Sequence, residues 1–203
     1  MKIILGHTGY IGSFLLKELI KEEIDILGIS RMQTNLKNKS LNYNFSEIRY
    51  DIFEEKIIER FNFKSKPTIY ICAHNLKTDF YNKRKSLDFL YNSNKIFYSN
   101  FIENIKLLKP EKLIFLSSGG SLYDNTNNLK PSTEYSILNP LSEYGLSKFI
   151  LEELLINLSR DYQIPLAICR ISTIYGNSYS NKKFGFINYL KECSLNKNIP
   201  IIY

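Results

Sequence analysis

The sequence predicts an α/β protein built on a doubly wound parallel sheet. Two observations carry that expectation. Apolar strand-like runs alternate with amphipathic helical stretches, and the runs are continuously hydrophobic, as in strands covered on both faces. The first run also passes directly into a glycine-spaced turn and a helix, Lys2-Ile-Ile-Leu-Gly6-His-Thr-Gly9-Tyr-Ile-Gly12.

In chain order, residues 3–5 read as the first strand. Ile11, Leu15, Leu16, Leu19 and Ile20 then recur at helical spacing. Residues 24–29 read as the second strand, and 33–45, rich in Asn and Lys, as a loop. A short third strand is expected at 48–51, a helix at 54–61 and a fourth strand at 68–73. One long helix is expected over 86–108, with Phe97, Phe101, Ile105 and Leu108 on a single stripe. Residues 112–118 read as the fifth strand, broken by Gly119-Gly120. Asn139-Pro140 and Ser142 introduce a helix over 142–160, and 166–172 is the sixth strand. A polar loop leads to a helix at 184–194 and a last apolar, strand-like segment at 199–203. The expected division is a dinucleotide-binding domain over 1–176 and the start of an incomplete substrate-binding region over 177–203. The ligand belongs at the carboxyl ends of the strands.

A chain of 203 residues can bury one substantial core without disulfides. At 44% hydrophobic and 23% charged it is neither a disordered nor a membrane composition. No apolar run approaches the roughly 18 residues of a spanning helix, so no membrane partner is expected. The formal charge of +7 comes from scattered lysines. The densest cluster, Lys83-Arg84-Lys85, is followed by Ser86 and Asp88 and reads as a solvated helix start or loop, so no nucleic-acid partner is expected. Cys72, Cys169 and Cys193 form no close pair, and the two in apolar strand-like runs, Cys72 and Cys169, read as small buried hydrophobes. With no targeting segment ahead of the first strand, a cytoplasmic location is expected. His7 and His74 have no neighbouring Asp, Cys or second His, so no metal site is expected.

Gly6, Gly9 and Gly12 form a G-x-x-G-x-x-G turn between strand and helix, with Tyr10 and Ile11 inside it. Such glycines permit a tight turn and close approach of backbone to a pyrophosphate, whose charge faces the helix N-terminal amides. The end of the second strand distinguishes NAD from NADP. An NAD site normally places an acid there, whereas this chain reads Gly28-Ile29-Ser30-Arg31. Ser30 and Arg31 suit a 2′-phosphate, so NADP is the preferred cofactor and NAD the alternative. Asp51, followed by Ile52, has two readings: acceptor for the adenine amino group, or cap of the next helix.

Tyr144 and Lys148 stand one helical turn apart. A phenol is a poor acid or base at its ordinary pKa near 10, and a neighbouring ammonium favours the phenolate. Ser118 and Ser121, in Ser117-Ser118-Gly119-Gly120-Ser121, are the candidate hydroxyls beside that tyrosine; a plain Ser/Gly turn is the other reading.

Taken together, Gly6-x-x-Gly9-x-x-Gly12, Asp51-Ile52, Ile71-Cys72-Ala73, Ser117 to Tyr123, Tyr144-Gly-Leu-Ser-Lys148 and Arg170-x-x-x-x-Tyr175-Gly176 resemble the extended short-chain dehydrogenase/reductase family. The branch is that of NAD(P)-dependent nucleotide-sugar epimerases and dehydratases. The resemblance implies a Rossmann-like fold, a nucleotide-sugar substrate and a homodimer. It implies Tyr144 as acid or base, Lys148 on the cofactor ribose, and a serine of the 117–121 loop completing the set. It places Ala73 beside the cofactor. Hydride transfer at a sugar carbon follows, by an epimerase or a reductase. A dehydratase is least favoured, because the loop lacks an Asp-Glu pair. Several positions depart from the family: Gly119 replaces its loop serine, His74 stands where a small residue is common, and Thr173 where Asn is frequent. The match covers only the first two thirds of a typical member. A C-terminally truncated chain is therefore expected, and a dinucleotide-binding module or inactive remnant is the competing expectation.

Overall fold

The computed structural model describes residues 1–33, 45–55, 63–74, 86–123, 131–176 and 186–200. Its strands are β1 (Lys2–Leu5), β2 (Ile26–Ser30), β3 (Phe45–Arg49), β4 (Thr68–Ile71), β5 (Lys112–Ser118) and β6 (Leu166–Ile171). Its helices are α1 (Tyr10–Ile20), α2 (Leu87–Ser93), α3 (Lys95–Leu107), the single turn α4 (Gly119–Leu122), α5 (Glu143–Tyr162) and α6 (Phe186–Leu195). The strands form one six-stranded parallel sheet in the order β3-β2-β1-β4-β5-β6. This is the doubly wound architecture expected from the sequence. The order reverses between β1 and β4, which opens a crevice at their carboxyl ends.

Strand pleating divides the core into two layers. Ile3, Leu5, Leu27, Ile29, Ile69, Ile71, Leu113 and Phe115 face one side, where Phe101 and Ile105 of α3 and Leu151 and Leu155 of α5 cover them. Ile4 and Ile26 face the other side and pack on Leu16 and Leu19 of α1. Burying each of these side chains contributes about 1.5–3 kcal/mol, which makes the layering the main determinant of strand placement.

Four expectations are corrected. The long helix is two, because Asn94 leaves helical geometry (φ −117°, ψ 15°) and its side-chain amide bonds back to the Leu90 carbonyl at 3.0 Å. β3 starts at Phe45 and ends at Arg49; its register is fixed by pairing Phe45 to Ile26 and Arg49 to Ser30. Cys169, expected to be buried, is exposed on β6, whereas Gly119-Gly120 end β5 as expected and open α4. Ile199 and Pro200 carry no strand. The expected helix at 54–61 falls partly outside the described residues, and residues 52–55 form a turn. Lys83-Arg84-Lys85 and residues 201–203 also lie outside them.

Candidate functional site

The glycine turn is shaped by close backbone contacts. Gly6 has φ +84°, and a Cβ there would stand 2.9 Å from the Ala73 nitrogen. At Gly12 a Cβ would meet the Gly6 oxygen at 2.2 Å, so α1 can dock over the turn only without a side chain. Gly9 is the N-cap of α1; it supplies no side-chain cap, and the first turn carries no acid. α5 is the contrast, with Ser142 Oγ accepting from the Gly145 N–H at 3.0 Å and Glu143 in its first turn. An 11-residue helix whose leading amides lack a side-chain cap leaves donors and dipole available to an anion.

A cleft of about 720 Å³ opens above this turn. It is lined by Gly6, Gly9, Tyr10, Ile11 and Gly12, by Ser30 and Arg31, by Asp51 and Ile52, by Ala73 and His74, and by Tyr144 and Ile174. The sequence-selected cofactor residues therefore converge on one surface, apart from Lys148, which stands behind it. The cleft size suits an extended organic ligand. The glycine cradle and the uncapped helix start fit a dinucleotide pyrophosphate.

At the β2 end the sequence reading needs refinement. The Ser30 hydroxyl donates to the Met32 carbonyl and accepts from Thr8 Oγ1 at 3.0 Å. It ties the strand end to the glycine turn. Arg31 is largely exposed, with Nε 3.9 Å from Asp51 Oδ2. Asp51 also accepts the Phe53 N–H on Oδ1 at 3.0 Å, so it shapes the following turn while facing the cleft. Two buried asparagines of α3 secure that turn. Asn104 Nδ2 donates to the carbonyls of Ile52 (2.8 Å) and Glu55 (2.7 Å), and Asn100 Nδ2 to those of Phe53 and Glu54. Thr8 and the asparagine pair were not singled out from the sequence, and only tertiary contacts reveal them.

At the other end of the cleft, Tyr144 and Lys148 share a face of α5. The Lys148 ammonium lies 5.8 Å from the Tyr144 ring centroid, 4.9 Å from that of Phe115, and donates to the Leu116 carbonyl at 2.8 Å. Burial pulls its pKa down to about 8. Burial also pushes the Tyr144 phenol above its ordinary range, while hydrogen bonding with the Ser118 side chain acts in the opposite sense. Ser118 is thus the loop hydroxyl that meets the phenol. Among the described residues Ser121 Oγ is buried without a hydrogen-bond partner, and the Ser121 carbonyl oxygen packs where a Cβ on Gly145 would stand at 2.3 Å. Among the described residues no group of three His, Cys, Asp or Glu is arranged to hold a metal ion.

His74 joins this group. Its Nε2 is 2.8 Å from Ser147 Oγ, and its ring meets Tyr144 edge-on at 5.0 Å between centroids. Burial, with the Lys148 charge, lowers its pKa to about 3, so the imidazole is neutral. His7, within the glycine turn, is fully buried and pairs with Glu47 on β3 at 3.0 Å. Its ring fills the slot left by Gly28, where a Cβ would stand 2.6 Å from it. His7 thereby fastens the turn to β3 across β2.

Comparison with known proteins places this arrangement. A family model described as the NAD dependent epimerase/dehydratase family matches residues 3–202. A Methanocaldococcus jannaschii protein provisionally named UDP-glucose 4-epimerase is 31% identical over 207 residues, covering 100% of this chain and 66% of its own length. The dTDP-4-dehydro-6-deoxyglucose reductase of Escherichia coli is 30% identical over 182 residues, covering 86% and 55%. The chain thus spans about two thirds or less of these relatives' lengths. The fold is shared with the UDP-glucose 4-epimerase of Thermotoga maritima, solved with UDP-glucose (TM-score 0.72, 22% identity, 98% of this chain and 64% of that one). It is equally shared with a Methanobrevibacter ruminantium UDP-N-acetylglucosamine 4-epimerase (TM-score 0.72, 22% identity, 100% and 66%). The chain belongs to the NAD-dependent epimerase/dehydratase family.

Proposed function

We propose that the protein is an NAD(P)-dependent nucleotide-sugar epimerase or reductase that transfers hydride at a sugar carbon. The observation that carries this reading is that Tyr144, with Lys148 at its ring, lines the same cleft as the Gly6–Gly12 turn. The similarity to epimerases and a reductase acting on nucleotide sugars supports it. Bound dinucleotide would supply the hydride acceptor or donor. Tyr144 takes or returns the sugar hydroxyl proton at its phenol oxygen. Lys148 binds the cofactor ribose in this reading, and Ser118, whose hydrogen bond favours the phenolate, orients the reacting oxygen. Residues 1–176 form the dinucleotide-binding part in this reading, and 177–203 begin the substrate region.

NADP is the proposed preferred cofactor, with NAD the alternative; four of the similar structures hold NAD. Because Ser30 is committed to Met32 and Thr8, recognition of a 2′-phosphate falls chiefly on Arg31. A cytoplasmic homodimer completes the proposal. The three free cysteines suit a reducing compartment, and exposed Phe89 and Ile96 on α2 and α3 suit a partner subunit. No helix of the described residues is long and apolar enough to cross a membrane.

The test is incubation of the chain with UDP-glucose, UDP-galactose and dTDP-keto-sugars under excess NADPH and under NAD. Sugar interconversion without net cofactor change indicates an epimerase, and stoichiometric NADPH loss a reductase. Absence of any sugar conversion or cofactor turnover across these substrates would overturn the proposal.

A further inference from the structure

The Ser147 hydroxyl carries one proton, and it is given to the Tyr144 carbonyl oxygen at 2.8 Å. The 2.8 Å contact between Ser147 Oγ and His74 Nε2 must then be made by the imidazole proton. His74 is therefore the Nε2–H tautomer, and Nδ1 carries a lone pair. Among the described residues Nδ1 has no hydrogen-bond partner. It is the remaining polar atom of a side chain that lines the cleft next to Tyr144.

We infer that His74 is a ligand-recognition residue whose Nδ1 accepts a hydrogen bond from a sugar hydroxyl lying against Tyr144. This rests on the reading of the cleft as a dinucleotide and nucleotide-sugar site. The chemistry follows from the ring's surroundings. An acceptor that cannot become a donor selects a hydroxyl and rejects a carbonyl or phosphate oxygen at the same place. The ring stays neutral because it is enclosed and faces the Lys148 ammonium. Lys148 of α5 is the charged group that acts on it, and Lys148 in turn feels Glu152, which Arg170 of β6 binds at 2.8 Å. The edge-on contact with the Tyr144 ring fixes where that hydroxyl lies relative to the phenol. Two sources carry such a hydroxyl: the cofactor ribose and the substrate hexose.

The chain holds only two histidines, so ¹⁵N histidine NMR of the full chain resolves them, with His74→Phe as the assignment control. His74 is expected as the neutral Nε2–H tautomer across pH 5.5–8, about the ordinary histidine range. Ser147→Ala, which removes the acceptor for Nε2–H, is expected to give a mixture of tautomers. NAD, UDP-glucose, and both together are then added, with binding followed by calorimetry. A change at Nδ1 with NAD alone assigns the ribose, and one requiring UDP-glucose assigns the hexose; either supports the inference. The assigned ligand is expected to bind His74→Phe about five- to tenfold more weakly, the loss of one net hydrogen bond. An Nδ1–H tautomer in the free protein overturns the inference. So does binding of both ligands with Nδ1 unchanged, which leaves the functional reading intact. Failure of both ligands to bind overturns the functional reading and the inference with it.

Discussion

The Lys148 ammonium and the Leu116 carbonyl oxygen form a part-buried hydrogen bond of 2.8 Å that joins α5 to β5 behind the cleft. One hydrogen bond does not repay the hydration an ammonium loses on burial. The folded pKa of about 8 against 10.5 corresponds to a cost on the order of 3 kcal/mol. The sign follows from proton linkage. Below about pH 8 the lysine is charged in both states and the full cost is present. Between about 8 and 10.5 the unfolded chain binds the extra proton, so this contribution to stability improves as pH rises. Lys148→Met is therefore expected to be more stable than the parent at pH 7 by about 1–3 kcal/mol, with the advantage shrinking towards pH 10.5. Urea melts of both proteins at several pH values check this; a parent at least as stable at pH 7 refutes it. A stability penalty at this position is what a site retained for chemistry would show.

The three hydroxyls near the reacting position separate by substitution. On the proposed function, Tyr144→Phe should lower sugar conversion by about 10²–10⁴-fold, the range of a lost general acid or base. Ser118→Ala should cost about tenfold, one orienting hydrogen bond. Ser121→Ala should change turnover little, because its hydroxyl is enclosed and makes no contact with the phenol. Product analysis by chromatography reads all three. Equal losses for both serines would assign Ser121 a role that its placement does not give it.

Much of the site could be read from the sequence because its determinants are local. Gly6, Gly9 and Gly12 lie within seven positions, Tyr144 and Lys148 within one helical turn, and β5 is a single apolar run. What escaped the sequence depends on distant residues. β3 begins early because pairing with β2, not hydrophobicity, holds Phe45-Ser-Glu-Ile-Arg extended. Ser30 looked like a phosphate ligand until its hydroxyl proved to be shared between Met32 and Thr8, a contact set only by the approach of turn and strand. His74 and Ser147 are 73 residues apart, so no local pattern could pair them. The choice of Ser118 over Ser121 similarly turns on how α4 packs beneath Gly145.

Gly12→Ala tests the turn itself. The added methyl would stand 2.2 Å from the Gly6 oxygen and 3.0 Å from the His7 Cα, backbone atoms that cannot swing aside. Moving α1 outward would loosen Leu16 and Leu19 from Ile4 and Ile26. The expected loss is about 1–3 kcal/mol of stability, as for overpacking elsewhere. Dinucleotide affinity should fall by a larger factor than stability alone explains, because the helix N-terminus shifts off the pyrophosphate position. Denaturation and calorimetric titration together check both parts.

Arg170 holds β6 to its neighbours. Its guanidinium binds the Glu152 carboxylate through Nε and Nη2, and Nη1 donates to Tyr123 Oη at 3.0 Å. Glu152 is almost wholly buried, so Arg170→Ala leaves its charge enclosed and unpaired. A loss of about 3–5 kcal/mol is expected, largely recovered in the double variant with Glu152→Gln. Urea melts of the two single variants and the double variant give the coupling directly; strict additivity would contradict the pairing.

Cofactor choice gives the sharpest test at the opposite end of the cleft. Arg31 projects from the end of β2 and is 63% exposed, with its Nε facing Asp51 at 3.9 Å. A 2′-phosphate placed there gains charge-assisted hydrogen bonds from the guanidinium. It also meets the Asp51 carboxylate, whose charge opposes it, so the net preference depends on Arg31 outweighing Asp51. Arg31→Ala should therefore weaken NADP binding by about 1.5–3 kcal/mol, roughly ten- to a hundredfold, and leave NAD almost unchanged. Asp51→Asn should act in the opposite sense on NADP, provided the amide oxygen still accepts the Phe53 N–H. Raising the salt concentration should narrow the difference between the cofactors, since the interaction lies at an exposed edge. Calorimetric titrations of both cofactors against the parent and the two variants decide the matter. Tighter binding of NAD than NADP by the parent would show that Asp51 prevails, and equal losses on Arg31→Ala would show that the arginine does not read the 2′ position.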